Sequence, residues 1–513
     1  MVRGSVALLV GLVVASVASA AAPKPAIELR IKAVKDLVPI IKYIGEVAHQ
    51  AEPADQIAGV IQELAKDEDG IYGTRADLPI GAYIAFGETI ETSPIVLMLP
   101  VVSEKAVLDN IGDKLNIDPK KGEDGAYSLD VPNVPYTVYF RVNDGYLYAT
   151  IRSAKGVEKG NLIAPKVFFT AKDAPVVGLT ANIAEWPADI KKTLLGQVEM
   201  QWMNTLQGLQ PSATQKLLNQ FLVDISMNAL KTTLADGKTL NIALDATPKS
   251  DDITLGLSLS ATGSDTALAK ALAGFADRDV LSGQLLAGSN HFGLQFLVPP
   301  EAKKMLVQLK GDLVEAAGKN VPDGTKAGYE LVGTLFAPLL ESGDIQLSVA
   351  ADTTAKPGQV QVQSAFKLDD GDQLRGLLQI LGVGIPKTAA KFTPTVAKVN
   401  NRKLHKIDVF DMASSPLDVG TVWVATSEDY ALAATSPKDS GIRTLMSAKP
   451  KSAKMLDVKV SFAELYPVVN PGKTTGTMTA GKDTLTITGQ GGTEFKLNAA
   501  LKGSVLKFYT AER

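Results

Sequence analysis

The 513-residue chain contains no cysteine. That excludes disulfide cross-links, thiolate catalysis, cysteine-ligated zinc and a lipid attached at an N-terminal cysteine. Histidine is nearly as scarce: His49, His291 and His405 are the only three, far apart and outside any His-Glu-x-x-His pair, so a conventional zinc site lacks ligands. After the first twenty residues no run approaches the roughly eighteen uninterrupted apolar residues of a spanning helix, so no transmembrane span is expected in the mature chain. Neither charge sign dominates. Lys and Arg number 52 against 55 Asp and Glu, interspersed to a net charge of -3, which leaves no basic footprint for nucleic acid.

Short catalytic motifs are also missing. There is no Gly-x-Ser-x-Gly elbow. Gly472-Lys473-Thr474 resembles the end of a phosphate loop, but Pro467 stands where that loop needs its first glycine and the following residues read as strand. Gly382-Val383-Gly384 follows a helical pattern and reads as a helix stop, not a dinucleotide fingerprint. The acidic runs Asp67-Glu68-Asp69-Gly70 and Asp369-Asp370-Gly371-Asp372 lack calcium-loop spacing and suit helix ends. No catalytic residue, cofactor or metal ligand is assigned.

What is present begins with a leader. Arg3, the apolar run Val6 to Val17 and the small residues Ala18-Ser19-Ala20 form a signal-peptide pattern over residues 1–20, with a linker at 21–26. An exported, cysteine-free chain fits a bacterial periplasm or extracellular space. The composition, 45% hydrophobic and 21% charged, is that of ordinary globular protein, and the length suggests more than one core.

Period-two alternation marks a hairpin at Leu240, Ile242, Leu244 and Ile253, Leu255, Leu257, Leu259, and the pattern recurs 107 residues later at Leu347, Val349, Ala351 and Val360, Val362, Ser364, Phe366. An amphipathic helix follows each, through Leu268, Leu272 and Phe275 in one copy and Leu374, Leu378 and Leu381 in the other. The wider order is strand, helix, helix, hairpin, helix. It starts at Ile27, with Pro39 tolerable only in the first turns of its helix; at Leu179, with Ser212 and Gln215 as a capping box; and at Phe292, with helices near Glu301–Ala317 and Tyr329–Leu340. A helix-poor version starts at Leu456, with hairpins running up to Tyr509. Units 27–115 and 176–277 flank a strand meander at 126–151, making a first half over 27–280. Units 291–381 and 455–511 flank a meander at 403–436, making a second half over 290–513. The predicted class is α+β, internally duplicated, with antiparallel sheets and helices packed on one face.

The meanders carry matched rings. Tyr139 corresponds to Trp423 and Tyr146 to Tyr430, so the same places in both halves hold aromatics. Cross-strand packing accounts for such rings. A ligand or partner surface is the functional alternative, and these four are the candidate site residues.

The exported start, the Leu37 to His49 helix, Gly81-Ala82-Tyr83, Ser93 to Pro100 and Tyr136 to Tyr148 together resemble a family of large exported bacterial proteins with repeated strand, helix and hairpin units and no assigned biochemical function. The resemblance is clearest over 27–185 and implies no site residues. Three classes of function follow. The first is a non-catalytic envelope or secreted protein that binds or scaffolds a partner, whether protein, polysaccharide or apolar ligand. The second is a carrier of apolar ligands in a groove between sheet and helices. The third is a hydrolase without a recognisable motif.

Overall fold

The computed structural model describes residues 24–513 except 66–72, 88–92, 132–134, 152, 170–174, 208–212, 321–341, 354–359, 369–373, 375–389, 401, 411–419, 428, 471–472, 474, 477 and 512–513. The leader, Ser212, both acidic runs, the expected Tyr329–Leu340 helix and residues Leu378 and Leu381 therefore lie outside the described residues. The chain divides into two compact units. One takes the residues up to Gln197 with Gly237–Thr262 and Tyr509–Arg513, the other Val198–Asp236 with Gly263–Phe508.

The first unit is built on ten described strands: β1 (Ile27–Ile31), β2 (Ile80–Ile84), β3 (Ile95–Pro100), β4 (Lys120–Lys121), β5 (Tyr127–Asp130), β6 (Thr137–Asn143), β7 (Tyr146–Ile151), β8 (Val177–Ala181), β9 (Gly237–Thr247) and β10 (Asp252–Ala261). Every pairing is antiparallel, in the order β4-β5-β6-β7-β3-β2-β1-β8-β9-β10. Local chemistry fixes the register. Asp144 and Gly145 between β6 and β7 both take positive φ, 50° and 76°, the backbone that a two-residue hairpin turn needs. On the apolar face, α1 (Val34–Val47) and α2 (Ala51–Ala65) cross so closely that a side chain at Gly45 would meet the Ala54 methyl. Leu37, Ile40 and Tyr43 of α1 pack with Val176, Val177, Ala246 and Ile253. Further along the same face lies α3 (Glu104–Leu115), capped by the Ser103 hydroxyl accepting from Ala106 N at 3.1 Å, its Val107 and Ile111 against Tyr127, Leu129 and Phe140. Among the described residues the opposite face carries short turns, Ala154–Val157, Lys159–Asn161 and α4 (Pro165–Phe168), whose Val157, Leu162, Ile163 and Phe168 cover Tyr83, Val96, Met98 and Tyr148. A further helix, α5 (Ala188–Gln207), starts just past Pro187.

The second unit contains α6 (Ala213–Asp236), α7 (Ala267–Ala273), β11 (Arg278–Val280), β12 (His291–Leu297), α8 (Pro300–Asn320), β13 (Asp344–Asp352), β14 (Gln361–Lys367), β15 (Ala390–Val399), β16 (Arg402–Val409), β17 (Thr421–Thr426) and β18 (Tyr430–Thr435). It continues with α9 (Ser440–Ser447), β19 (Lys451–Ala453), β20 (Leu456–Ser461), α10 (Phe462–Val469), β21 (Thr484–Gln490), β22 (Glu494–Lys502) and α11 (Gly503–Ala511). Its main sheet runs β15-β16-β17-β18-β14-β13-β12-β20-β21-β22, again wholly antiparallel, while β11 and β19 pair separately. Its core joins Leu404, Trp423, Leu432 and Ala365 to Ile442, Leu445 and Met446 of α9.

Strand for strand, the two orders are the same. β1 to β3 correspond to β12 to β14, β4 to β7 correspond to β15 to β18, and β8 to β10 correspond to β20 to β22. Register repeats as well. Shifting Tyr139↔Thr150 and Val142↔Leu147 of the first meander by 284 residues gives Trp423↔Ala434 and Thr426↔Ala431, which are observed partners. The hairpins found 107 residues apart also pair alike, Leu240↔Leu259 and Leu244↔Leu255 in one, Leu347↔Phe366 and Ala351↔Val362 in the other. The fold is thus α+β and internally duplicated, from three-stranded units each opening with a strand and closing with a hairpin.

Some local expectations are corrected. Residues 503–511 form α11 and not the end of a hairpin: Val505 and Phe508, three apart, turn to one side, with Phe508 edge-on to Tyr466 at 4.9 Å. The second meander begins earlier than Lys403, because β15 pairs with β16 despite Pro394, whose missing donor falls in a register shift between Thr393 and Ala397. Pro39 is no correction: as the sixth residue of α1 it falls in the second turn, within the first turns as expected, and forgoes the bond to the Lys35 carbonyl there.

Candidate functional site

In the first unit, alternation along β1, β8 and β9 turns Arg30, Gly178, Thr180, Asn241 and Ala243 to one face of the sheet, with Arg30 opposite Gly178, Gly178 opposite Ala243 and Thr180 opposite Asn241. That face is the floor of a cavity of about 570 Å³. Gly178 and Ala243 keep the floor low, and Pro175 lies against Gly178. Leu78 and Pro79, just before β2, together with Tyr146, Pro165 and Phe169, form an apolar wall; Lys166 completes it.

Apart from Lys166, the charged and amide side chains of the cavity and its tyrosine are held by hydrogen bonds. Arg30 donates from Nε to the Phe168 carbonyl at 2.8 Å and from Nη2 to the Glu28 carboxylate, and its guanidinium lies 4.9 Å from the Phe168 ring. Its Nη1 has only a long 3.5 Å contact, with the Thr180 hydroxyl. Glu28 is 7% exposed and its other oxygen accepts from Asn182 Nδ2 at 2.9 Å, so this carboxylate is fully occupied with holding Arg30 and the strand ends. Asn241 donates from Nδ2 to Ser258 Oγ at 3.2 Å, which fixes the amide orientation and leaves its carbonyl oxygen to accept. Lys166 is exposed and makes no hydrogen bond or ion pair among the described residues. Tyr146 is buried, donates to the Pro79 carbonyl at 3.2 Å and stacks on Phe169 at 5.4 Å. Burial pushes its phenol up to about 12, against a smaller opposing effect of Arg75, so it stays neutral at any physiological pH.

Of the four aromatics singled out from sequence, only Tyr146 lines this cavity. Tyr139 lies on the neighbouring strand opposite Thr150 and packs against the core formed by Tyr83 and Met98. Trp423 is buried in the core of the second unit, with Nε1 donating to the Ser436 carbonyl at 3.0 Å and the Lys406 ammonium 5.7 Å from its ring. Tyr430 donates to Gln346 Oε1 and accepts from Leu281 N at 3.4 Å. Burial raises its pKa, only partly offset by that backbone donor. Leu179 and Ile242 were read as strand positions, whereas the other lining residues escaped sequence reasoning because they are spread singly over separate elements and carry no spacing signal.

A second cavity of about 570 Å³ lies in the second unit between α6, α8 and the end of α5, lined by Met203, Met227, Met305, Glu199, Asp224 and Lys231. Its walls are helical, and Met203 is 52% exposed. Among the described residues no cluster of three or more His, Asp or Glu could hold a metal ion. His291 and His405 are buried with both ring nitrogens bonded, His291 to Gly288 O and Asp457, His405 to Thr395 N and Thr426. No described helix is long and apolar enough to cross a membrane. Comparison with protein-family models, with curated proteins and with solved structures finds no match to the chain.

Proposed function

We propose that the chain is an exported bacterial protein of the envelope or surrounding medium, of the kind its sequence resembles, with a non-catalytic binding role centred on the cavity of the first unit. One observation carries this reading: the cavity joins a low, strand-built floor to an apolar wall with a few fixed polar groups, the usual make-up of a site that holds a small molecule, and among the described residues no carboxylate or imidazole lines it. The signal-peptide pattern supports export. A scaffolding role has its own support in Met200, Trp202, Met203, Leu218 and Leu222, all exposed on α5 and α6.

The test is native mass spectrometry of the chain purified from cell envelope and medium. The reading requires a chain lacking Met1 to Ala20 that carries a small molecule. A chain that keeps its leader and arrives empty from both fractions would overturn it.

A further inference from the structure

We infer that the cavity of the first unit takes an organic carboxylate with an apolar body, its anionic end at Arg30 and Lys166 and its body along Tyr146, Phe169 and Pro79. The inference rests on the binding role proposed above and names the class of ligand for that same site.

Charge balance comes first. Among the described residues two cations line the cavity and no acid does; the carboxylates beside it are engaged, Glu28 by Arg30 and Asn182 and Asp245 by Lys32. Lys166 therefore leaves the described lining with a net positive charge. Donor geometry comes second. Arg30 is held by the Phe168 carbonyl and Glu28 from Nε and Nη2, so Nη1 is the edge left for a ligand oxygen, next to the Thr180 hydroxyl that also lines the cavity. A guanidinium fixed beforehand loses little freedom on accepting a carboxylate. The apolar wall comes third. From Arg30 the rings run in sequence, with Phe168 beneath the guanidinium, Phe169 edge-on to Phe168 at 4.9 Å, and Tyr146 stacked on Phe169 at 5.4 Å. A ligand anchored at Nη1 would lay its body along Phe169 and Tyr146, between Pro79 and Pro165. A volume of about 570 Å³ accommodates such a molecule.

The duplicated unit supplies the contrast. By register, Gly293 takes the place of Arg30 and Asp457 that of Gly178, and Asp457 is engaged with His291 at 3.3 Å. The cation is gone and an acid stands on the floor. Selection for an anion is thus a property of one copy and not of the fold.

The experiment uses the full chain and anilinonaphthalene sulfonate as a fluorescent probe, since it pairs an anion with an apolar aromatic body. Displacement is measured with dodecanoate, dodecanol and dodecyltrimethylammonium for the wild type, Lys166→Glu, Ala243→Phe and, as a charge control on exposed α3, Lys105→Glu. Dodecanoate should displace the probe at a concentration about tenfold below dodecanol, the cation should be weaker still, Lys166→Glu should erase most of that preference, and Lys105→Glu should keep it. Ala243→Phe, which fills the floor, should abolish displaceable binding. Equal displacement by acid and alcohol, still lost in Ala243→Phe, would leave the cavity as a binding site and overturn the carboxylate assignment. Binding unchanged in Ala243→Phe for every ligand would remove the cavity from the proposed function altogether.

Discussion

Asp344 shows how much one side chain can report. Burial alone would raise its carboxyl, but hydrogen bonds from Lys367 and Gln346 and the ion pair with Arg278 outweigh burial and hold it below the usual aspartate range. A carboxylate lowered on folding stabilises the native state above its unfolded pKa, and that contribution disappears as pH falls through the folded value. Asp344→Asn should therefore be less stable than wild type at neutral pH, with the gap closing below about pH 4. Urea midpoints measured across that range decide it; a gap that stays constant with pH would show the ion cluster to be uninvolved. The same scale shows what a sequence conceals. Tyr146 was accessible because its counterpart Tyr430 sits at a constant shift, whereas Arg30, Gly178, Asn241 and Ala243 have nothing in common before β1, β8 and β9 are paired. A floor made of absent side chains leaves no residue to notice.

Among the elements, hairpins were the most legible and helices the least evenly so. Alternating Leu and Ile placed β9 and β10 by period alone, since Leu244 and Leu255 on that face are 42% and 49% exposed. Strand β15 was missed because Pro394 signals a break, and only the tertiary structure reveals the irregularity that tolerates it. Terminal α11 was misread because Val505, Lys507 and Tyr509 can be taken as alternation, while the contact that decides is made by Phe508. Helix stripes need the same discrimination between buried and exposed. Leu272 on α7 is 4% exposed, and Gly491 approaches its carbonyl so closely that a Cβ there would lie 2.4 Å away. Leu222 on α6 is 55% exposed. Leu272→Ala should cost about 2 to 5 kcal/mol, whereas Leu222→Ala should stay within about 0.5 kcal/mol. Two equal denaturation midpoints would contradict the placement of α7 in the core.

On the scale of the molecule, one sheet order has been used twice, and the strand-floored cavity with a cation in it lies on the first copy. The order of units was legible because period-two hairpins and the matched meanders recur at constant shifts. The grouping of Val198–Asp236 with the second unit was not, since chain order places those residues between β8 and β9 of the first. The same limit applies to the site: duplication predicts equivalent positions, but function depends on where the copies have diverged. Ala243 and Thr488 occupy equivalent places, each in the second strand of the hairpin side of its sheet, paired with Gly178 and Asp457 respectively. Calorimetric titration of dodecanoate into Ala243→Phe and Thr488→Phe, beside the wild type, therefore tests the account most directly. The account predicts that the first substitution removes the binding heat and the second leaves the wild-type isotherm. Loss of binding in Thr488→Phe with retention in Ala243→Phe, or no difference between them, would contradict it.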